Sequence, residues 1–291
     1  MENQNLFFKV ARNIIKQTSF LWSDKLYLKI MFRLCVGYKF NIKNPKTFNE
    51  KLNYLKLHGH NNYYTKLADK YESKKEISKI IGEEYIVPCI GVWESVNDID
   101  FDKLPNKFVL KTTHDSGSVI VCKDRNSFDI SDSRHILQKS LCKNYYPKLR
   151  EWVYKNIKPR IIADAYLDDN TGSELRDYKF WCFNGQPKYV YITIKGKNVF
   201  ENFYDMDFKP VEINHGFQRH IPEFNRPKQF EQMVSLAKKI SMNIPFLRVD
   251  FFLVSSRIYF GECTFYDWGG LKPFDKYETD LMLGNLINLK C

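Results

Sequence analysis

Two carboxylates stand inside apolar runs near the end of this chain. Leu247-Arg248-Val249-Asp250-Phe251-Phe252 and Tyr259-Phe260-Gly261-Glu262-Cys263-Thr264-Phe265 read as two strands around a polar turn at Ser255-Ser256-Arg257. Asp250 lies in the first strand and Glu262 in the second. Acidic residues are disfavoured in buried strands and rarely lie there without a partner. Antiparallel pairing would bring the two together, and a divalent cation would offset their repulsion. Magnesium favours a few carboxylates plus phosphate oxygens over a closed protein cage. The hairpin therefore points to a nucleotide–Mg2+ site; the alternative is a pair of salt-bridged carboxylates at a sheet edge.

A second segment offers the opposite charge. Phe108-Val109-Leu110-Lys111 reads as a strand, Thr112-Thr113-His114-Asp115-Ser116-Gly117 as a small polar loop, and residues 118–122 as a second strand. Such a loop exposes backbone N–H groups and hydroxyls, and Gly117 lets the backbone approach a ligand closely. Lys111 sits at the strand's end, where its ammonium can reach a phosphate. The pattern GxxxxGK[ST] is absent here, which excludes a P-loop.

These segments need elements to hold them. The first forty residues read as helical. Lys9, Arg12 and Lys16, and then Lys25, Lys29 and Arg33, recur at spacings of three and four beside an apolar face of Leu6, Val10 and Ile14, and of Leu26, Ile30 and Leu34. The preferred reading is a pair of helices packed on the protein with their lysines in water, although such a helix also suits an anionic membrane surface. Thr47 followed by Glu50 is a capping box that starts a helix running to His58-Gly59. A further helix is expected over residues 67–81, ending at Gly82, then extended segments over 85–88 and 90–93. A polar helix is expected over 134–154, strands over 160–167, 178–183 and 188–193, and a helix from Arg226-Pro227 through Ile240. The pattern is α+β with mostly antiparallel strands.

Composition narrows the partners. At 291 residues the chain can hold one large domain or two modest ones. Its net charge of +11 calls for an anionic partner. No run approaches the roughly 18 apolar residues that span a bilayer, and the N-terminal residues lack the basic and apolar regions of a signal peptide. Seven cysteines, scattered singly with no CxxC pair, fit a reduced, cytoplasmic setting. His58-Gly59-His60 has no cysteine or carboxylate cluster beside it and reads as a loop.

The order of these features is more specific than any one of them. Thr47-Phe48-Asn49-Glu50-Lys51 comes first, then Leu67-Ala68-Asp69-Lys70 with Lys74, then the strand-Lys111-loop-strand. Ile161-Ile162-Ala163-Asp164-Ala165-Tyr166-Leu167 and Asp177-Tyr178-Lys179-Phe180-Trp181-Cys182-Phe183-Asn184-Gly185 follow, and the Asp250/Glu262 hairpin closes the series. The series resembles the ATP-grasp superfamily of carboxylate–amine ligases, and within it the TupA-like branch associated with teichuronopeptide and other cell-surface polysaccharide biosynthesis. The resemblance runs from about Lys25 to the C-terminus.

It implies an ATP-grasp fold, two α+β subdomains clasping ATP, preceded by a helical region. The expected division is a basic helical region over 1–60, an α/β segment over 61–105, a small subdomain with the phosphate loop over 106–170, and a large subdomain with the metal site over 171–291. By the same resemblance Lys111 and Lys74 meet phosphates, and Thr112, Ser116, Gly117 and Ser118 belong to the loop over the triphosphate. Asp164, Ala165, Tyr166 and Leu167 match the adenine hinge, and Asp177 falls where an acid holds the ribose. Asp250, Glu262 and Thr264 match the Mg2+ ligands, and Arg248 and Lys179 are partners for phosphate or acyl-phosphate. Asp164 replaces the usual Glu, Thr264 the usual Asn, and Asp115 brings negative charge into a loop where Gly is usual. Asp115 must therefore point away from the triphosphate or weaken its binding.

The implied reaction is ATP-dependent amide formation between a carboxylate-bearing glycan or its lipid-linked precursor and an amino acid or other small amine. Peripheral contact with the inner face of the membrane is the further expectation for the N-terminus. A glycosyltransferase of the same pathway is the competing reading, with Asp205-Met206-Asp207 as its DxD motif; a catalytically inactive nucleotide-binding scaffold is the third. No RNA-binding signature accompanies the aromatic residues, so nucleic acid is set aside.

Overall fold

Ser23 and Thr47 open the two helices that anchor the N-terminal region. A computed structural model of the chain describes residues 2–115, 117–168, 175–195 and 199–289. Helix α1 (Glu2–Gln17) leads through a short 3-10 turn to α2 (Asp24–Val36), capped by the Ser23 hydroxyl and closed by Gly37 in the left-handed region. α3 (Phe48–His58) starts at the expected capping box: the Glu50 N–H donates to Thr47 Oγ1 at 3.2 Å and the Thr47 N–H to Glu50 Oε2 at 3.2 Å. Reciprocal satisfaction of two end donors is what makes this pair a reliable start signal.

The helix expected over 67–81 is broken in two. α4 (Asn62–Ala68) ends at Asp69, and α5 (Glu72–Ile81) begins three residues later. Asp69 Oδ1 accepts the N–H groups of Tyr71 and Glu72, a local bond that competes with helix continuation. Its Oδ2 is held by Arg160 at 2.8 Å, so a tertiary partner fixes the break.

A four-stranded antiparallel sheet follows. Its strands are β1 (Cys89–Trp93), β2 (Phe108–Thr112), β3 (Ile120–Cys122) and, after the helices α6 (Ile130–Leu141) and α7 (Tyr146–Leu149), β4 (Ile161–Ala165). The order β1-β4-β2-β3 carries this sheet back across residue 105, to Cys89. The single polar helix expected over 134–154 is two helices, because residues 142–145 leave the helix between them. One face of the sheet buries Phe108, Leu110, Ile161 and Ala163 with Leu137 of α6. The other carries Lys111 and Asp164.

The second sheet is five-stranded and antiparallel. β5 (Asp177–Phe183), β6 (Gln186–Lys195) and β7 (Val199–Tyr204) precede α8 (Phe230–Ile240), and β8 (Phe246–Val254) with β9 (Arg257–Thr264) forms the terminal hairpin. The order is β7-β6-β5-β8-β9, and α9 (Tyr277–Asn285) closes the chain. Ser255 and Ser256 at the β8–β9 turn both have positive φ, the geometry of a two-residue hairpin turn whose twist matches its strands. α8 buries Phe230, Met233, Leu236, Ala237 and Ile240 against the face of Phe180, each side chain contributing roughly 1.5–3 kcal/mol except the smaller alanine. Phe48 of α3 stacks on Trp181 across the opposite face, with ring centroids 5.1 Å apart. The rest of that face turns its charged residues toward the small sheet.

Candidate active site

β5 and β8 pair so that Lys179 lies opposite Asp250 and Trp181 opposite Arg248. All four side chains therefore share one face. Between β8 and β9 the register slips: Val249 faces Cys263, but Phe251 faces Phe260, so Gly261 and Glu262 together oppose Asp250. A bulge of this kind re-aims a side chain at a sheet edge. A Cβ on Gly261 would lie 3.1 Å from the Asp250 carbonyl oxygen, so a side chain there would crowd the bulge.

Arg248 ties the acids together. Its Nε donates to Asp250 Oδ1 at 2.7 Å and its Nη2 to Asp250 Oδ2 at 2.7 Å; the same Nη2 donates to Glu262 Oε1 at 2.6 Å. Nη1 reaches Asp267 Oδ1 at 2.6 Å. Lys179 pairs with Asp177 and stands 4.0 Å from Asp250 Oδ2. Thr264 Oγ1 donates to Glu262 Oε1 at 3.3 Å. Burial pushes the Asp250 carboxyl well above the usual carboxylate range, although Arg248 and Lys179 oppose it. Burial acts the same way on Glu262, but Arg248, Lys70 and Lys179 outweigh it and hold that carboxyl below its ordinary value.

Asp267 was not among the expected site residues. It is fully buried and also accepts the Trp181 indole N–H at 3.1 Å. The turn behind it is unusual: Trp268, Gly269 and Gly270 all have positive φ. The Lys56 ammonium donates to the Gly269 carbonyl and the Asn53 amide to that of Gly270, so buried polar groups of α3 hold the turn that aims Asp267 at Arg248.

The small sheet contributes cations. Lys111 Nζ lies 2.8 Å from Asp164 Oδ2, and Lys74 Nζ of α5 lies 3.1 Å from Asp164 Oδ1. Lys74 also donates to the Val87 carbonyl at 2.7 Å. Burial lowers the Lys74 pKa; Asp164 opposes the shift and Lys111 adds to it. Ala165 donates its N–H to the Pro88 carbonyl, and Tyr166 and Leu167 continue as half-exposed irregular chain. Asp164 itself thus faces the two lysines through its side chain.

In the phosphate loop Asp115 points inward. It is buried and accepts the hydroxyls of Thr112 at 2.6 Å, Ser118 at 2.6 Å, and Ser140. Burial disfavours its charge, yet these hydroxyls outweigh that and hold the carboxyl below its ordinary value. Through Ser140 the acid ties the loop to α6. Thr112 and Ser118 spend their hydroxyls on that network, while Gly117 has positive φ and open space where a Cβ would stand. Ser116 lies outside the described residues.

Lys70 joins the two halves. Its ammonium donates to the Asp115 carbonyl, and burial lowers its pKa while the charge of Glu262 opposes that. Its position at the break between α4 and α5 is the signal that an uninterrupted helix over 67–81 concealed. Asp205 and Asp207, by contrast, serve a local turn: Asp205 Oδ1 accepts the N–H groups of Asp207 and Lys209, and Asp207 pairs with Lys209.

Among the described residues no cluster of three or more His, Cys, Asp or Glu side chains is set to hold a metal. Asp250 and Glu262 nonetheless fit Mg2+, because a single guanidinium nitrogen touches both and one cation position already serves the two. Two carboxylates are what this ion takes when phosphate oxygens complete its shell.

No curated protein matches the chain. Solved structures that it resembles include a D-alanine–D-alanine ligase from Bacillus anthracis complexed with ATP, at 16% identity over 68% of this chain and 54% of that one, with a TM-score of 0.41. A D-alanine–D-alanine ligase from Helicobacter pylori matches at 14% identity over 83% and 69%, with a TM-score of 0.42. An N5-carboxyaminoimidazole synthase from Aspergillus clavatus, in complex with ADP and 5-aminoimidazole ribonucleotide, matches at 13% identity over 69% and 44%, with a TM-score of 0.39. The chain spans about half the length of the first of these. The family model described as TupA-like ATPgrasp matches residues 50–288. The fold is ATP-grasp, and the chain belongs to the TupA-like ATP-grasp family.

Proposed function

We propose that this protein is an ATP-dependent carboxylate–amine ligase acting in cell-surface or capsular polysaccharide biosynthesis. The observation that supports it best is the opposition of charge within one site. Lys70, Lys74 and Lys111 are gathered by the small sheet and α5, and Asp250 and Glu262 are paired on the large sheet. A triphosphate suits the first set, and Asp250, Glu262 and Thr264 would hold the Mg2+ that offsets charge on its β- and γ-phosphates.

The substrate carboxylate attacks the γ-phosphorus, ADP leaves, and an acyl-phosphate results. An amine then attacks the acyl carbon, phosphate departs and the amine loses a proton, leaving an amide. Lys70 and Lys111 would neutralise the polyphosphate, and Arg248, held by Asp267, would meet the transferred phosphoryl group. The acid substrate is a carboxylate-bearing glycan or its lipid-linked precursor, and the amine an amino acid or other small amine; the +11 charge suits such an acid.

The test is incubation with ATP, Mg2+, uronosyl glycans and a pool of amino acids. ADP release with a new amide in the mass spectrum is the expected result. Consumption of a nucleotide sugar with no use of ATP would overturn it.

A further inference from the structure

We propose that the α1–α2 hairpin docks on an anionic phospholipid bilayer. The observation is a surface that is apolar and cationic at once. On α1, Phe7, Val10 and Ile14 recur at three and four and are 68%, 49% and 53% exposed. Phe20 and Leu21, in the turn between the helices, are 81% and 67% exposed, and Leu26 at the start of α2 is 45% exposed. These groups are not spare core. The inner side of α2 already buries Tyr27, Leu28, Met31, Phe32 and Val36. A run of large side chains in water, rimmed by charge, marks an interaction surface rather than scattered exposure.

The charge chooses the partner. Residues 7–40 carry seven Lys and Arg against a single acid, Asp24. That acid is spent, since it pairs with Arg150 at 2.9 Å. Leu26, Lys29 and Arg33 fall at i, i+3 and i+7 on the outer face of α2, so apolar and cationic groups alternate along one stripe. Lys29, Arg33 and Lys39, with Phe40 as an apolar wall, line an open recess. The three cations suit the phosphate of a lipid headgroup. A second copy of this face would meet it with like charge, which disfavours self-association. A neutral surface would leave the cations without partners. Among the described residues no helix is long and apolar enough to cross a membrane, so the hairpin lies in the interface rather than through it.

The test is flotation of the full chain with vesicles of phosphatidylglycerol and phosphatidylcholine, against vesicles of phosphatidylcholine alone. Binding is expected only where phosphatidylglycerol is present, and it should weaken in about 1 M salt, where screening shortens to about 3 Å. Lys29→Gln with Arg33→Gln should weaken partitioning by about 25-fold, and Phe20→Ser with Leu21→Ser by about tenfold or more. Phe20 and Leu21 face solvent, so that variant should keep the parent's thermal midpoint. Because Arg33 donates to the Gly37 carbonyl at 2.7 Å, Lys29→Gln alone is the charge control, expected to keep the midpoint and weaken partitioning by about fivefold. Equal binding to neutral vesicles, or none to anionic ones, overturns the proposal. So does a dimer in sedimentation equilibrium that disperses in the Phe20→Ser, Leu21→Ser variant, which would assign the surface to a second copy. Saturable binding of glycerol phosphate without vesicle binding would overturn it in favour of a soluble anion.

Discussion

Replacing Asp164 by Asn separates the two roles a buried acid can have beside a nucleotide. In the protein without ligand, Asp164 is 2% exposed and neutralises Lys111 at 2.8 Å and Lys74 at 3.1 Å. Removing one partner of a buried ion pair costs about 3–5 kcal/mol, because the other is left unpaired. Here the cost is smaller. The Lys111 side chain is 22% exposed and is partly repaid by water, and Lys74 keeps its bond to the Val87 carbonyl. A loss of about 2–3 kcal/mol remains, or roughly 3–5 °C in thermal midpoint for a chain of this size.

A triphosphate changes the sign of the comparison. If Asp164 is the counter-ion that phosphate replaces, the parent gives up part of its ion pairs on binding, whereas Asp164→Asn has already done so. A non-hydrolysable ATP analogue should then bind the variant about tenfold more tightly, a difference of about 1.4 kcal/mol. Its stabilising effect in calorimetry should rise by the same amount at saturating ligand. Weaker binding to the variant would refute this reasoning and make Asp164 a direct nucleotide contact. An unchanged midpoint without ligand would mean that the two ion pairs contribute nothing.

Other residues carry separate expectations. Glu262→Gln should abolish ATP turnover and the Mg2+-dependent rise in thermal midpoint seen with an ATP analogue, while stability without ligand moves by less than about 1 kcal/mol because this side chain is half in water; normal turnover would remove Glu262 as a metal ligand. Lys111→Ala should weaken the analogue by several-fold or more in calorimetric titration, as losing a charge-assisted contact does, and Lys70→Met should do the same; unchanged affinity would take either lysine out of the site. Burial pushes the Glu151 carboxyl up to about 7 from its ordinary 4.5, with Lys56 opposing. A raised acid contributes stability that is fully present below its unfolded value and lost as pH rises through its folded one. The parent should therefore gain thermal stability as pH falls from about 7 toward 4.5, and Glu151→Gln should flatten that slope; an identical slope in both proteins counts against the assignment.

Local signals were legible in the sequence, and tertiary ones were not. The capping box at Thr47 and Glu50 and the hairpin turn at Ser255 and Ser256 depend on neighbours in the chain, so residue types alone reveal them. The bulge that sets both Gly261 and Glu262 against Asp250 depends on the pairing of β8 with β9, which alternation of apolar residues does not encode. The break at Asp69 was hidden because Leu67, Ile77 and Ile81 keep helical spacing, while the partner that fixes the break, Arg160, is far away in sequence. Asp267 was missed for the same reason. It follows an apolar strand in an ordinary-looking turn, and only α3, through Lys56 and Asn53, gives that turn the shape that aims it at Arg248.

The two halves of the site solve one problem with opposite charges. On the small sheet a single acid, Asp164, stands between two lysines. On the large sheet Arg248 stands among Asp250, Glu262 and Asp267, with Lys179 4.0 Å from Asp250. Burying either set alone would be costly, since like charges at these separations repel strongly in a region poor in water. In each half a group of the opposite sign offsets that repulsion. On the proposed function, the ligand carries phosphates toward the lysines and a divalent cation toward the acids. A simple anion would satisfy Lys74 and Lys111 yet leave Arg248 where it is. A bare metal ion would have to compete with a guanidinium that already makes bidentate contact with Asp250. If the proposed function holds, nucleotide and metal should bind better together than either alone, and Asp267 would leave Arg248 a partner if Asp250 and Glu262 served the metal.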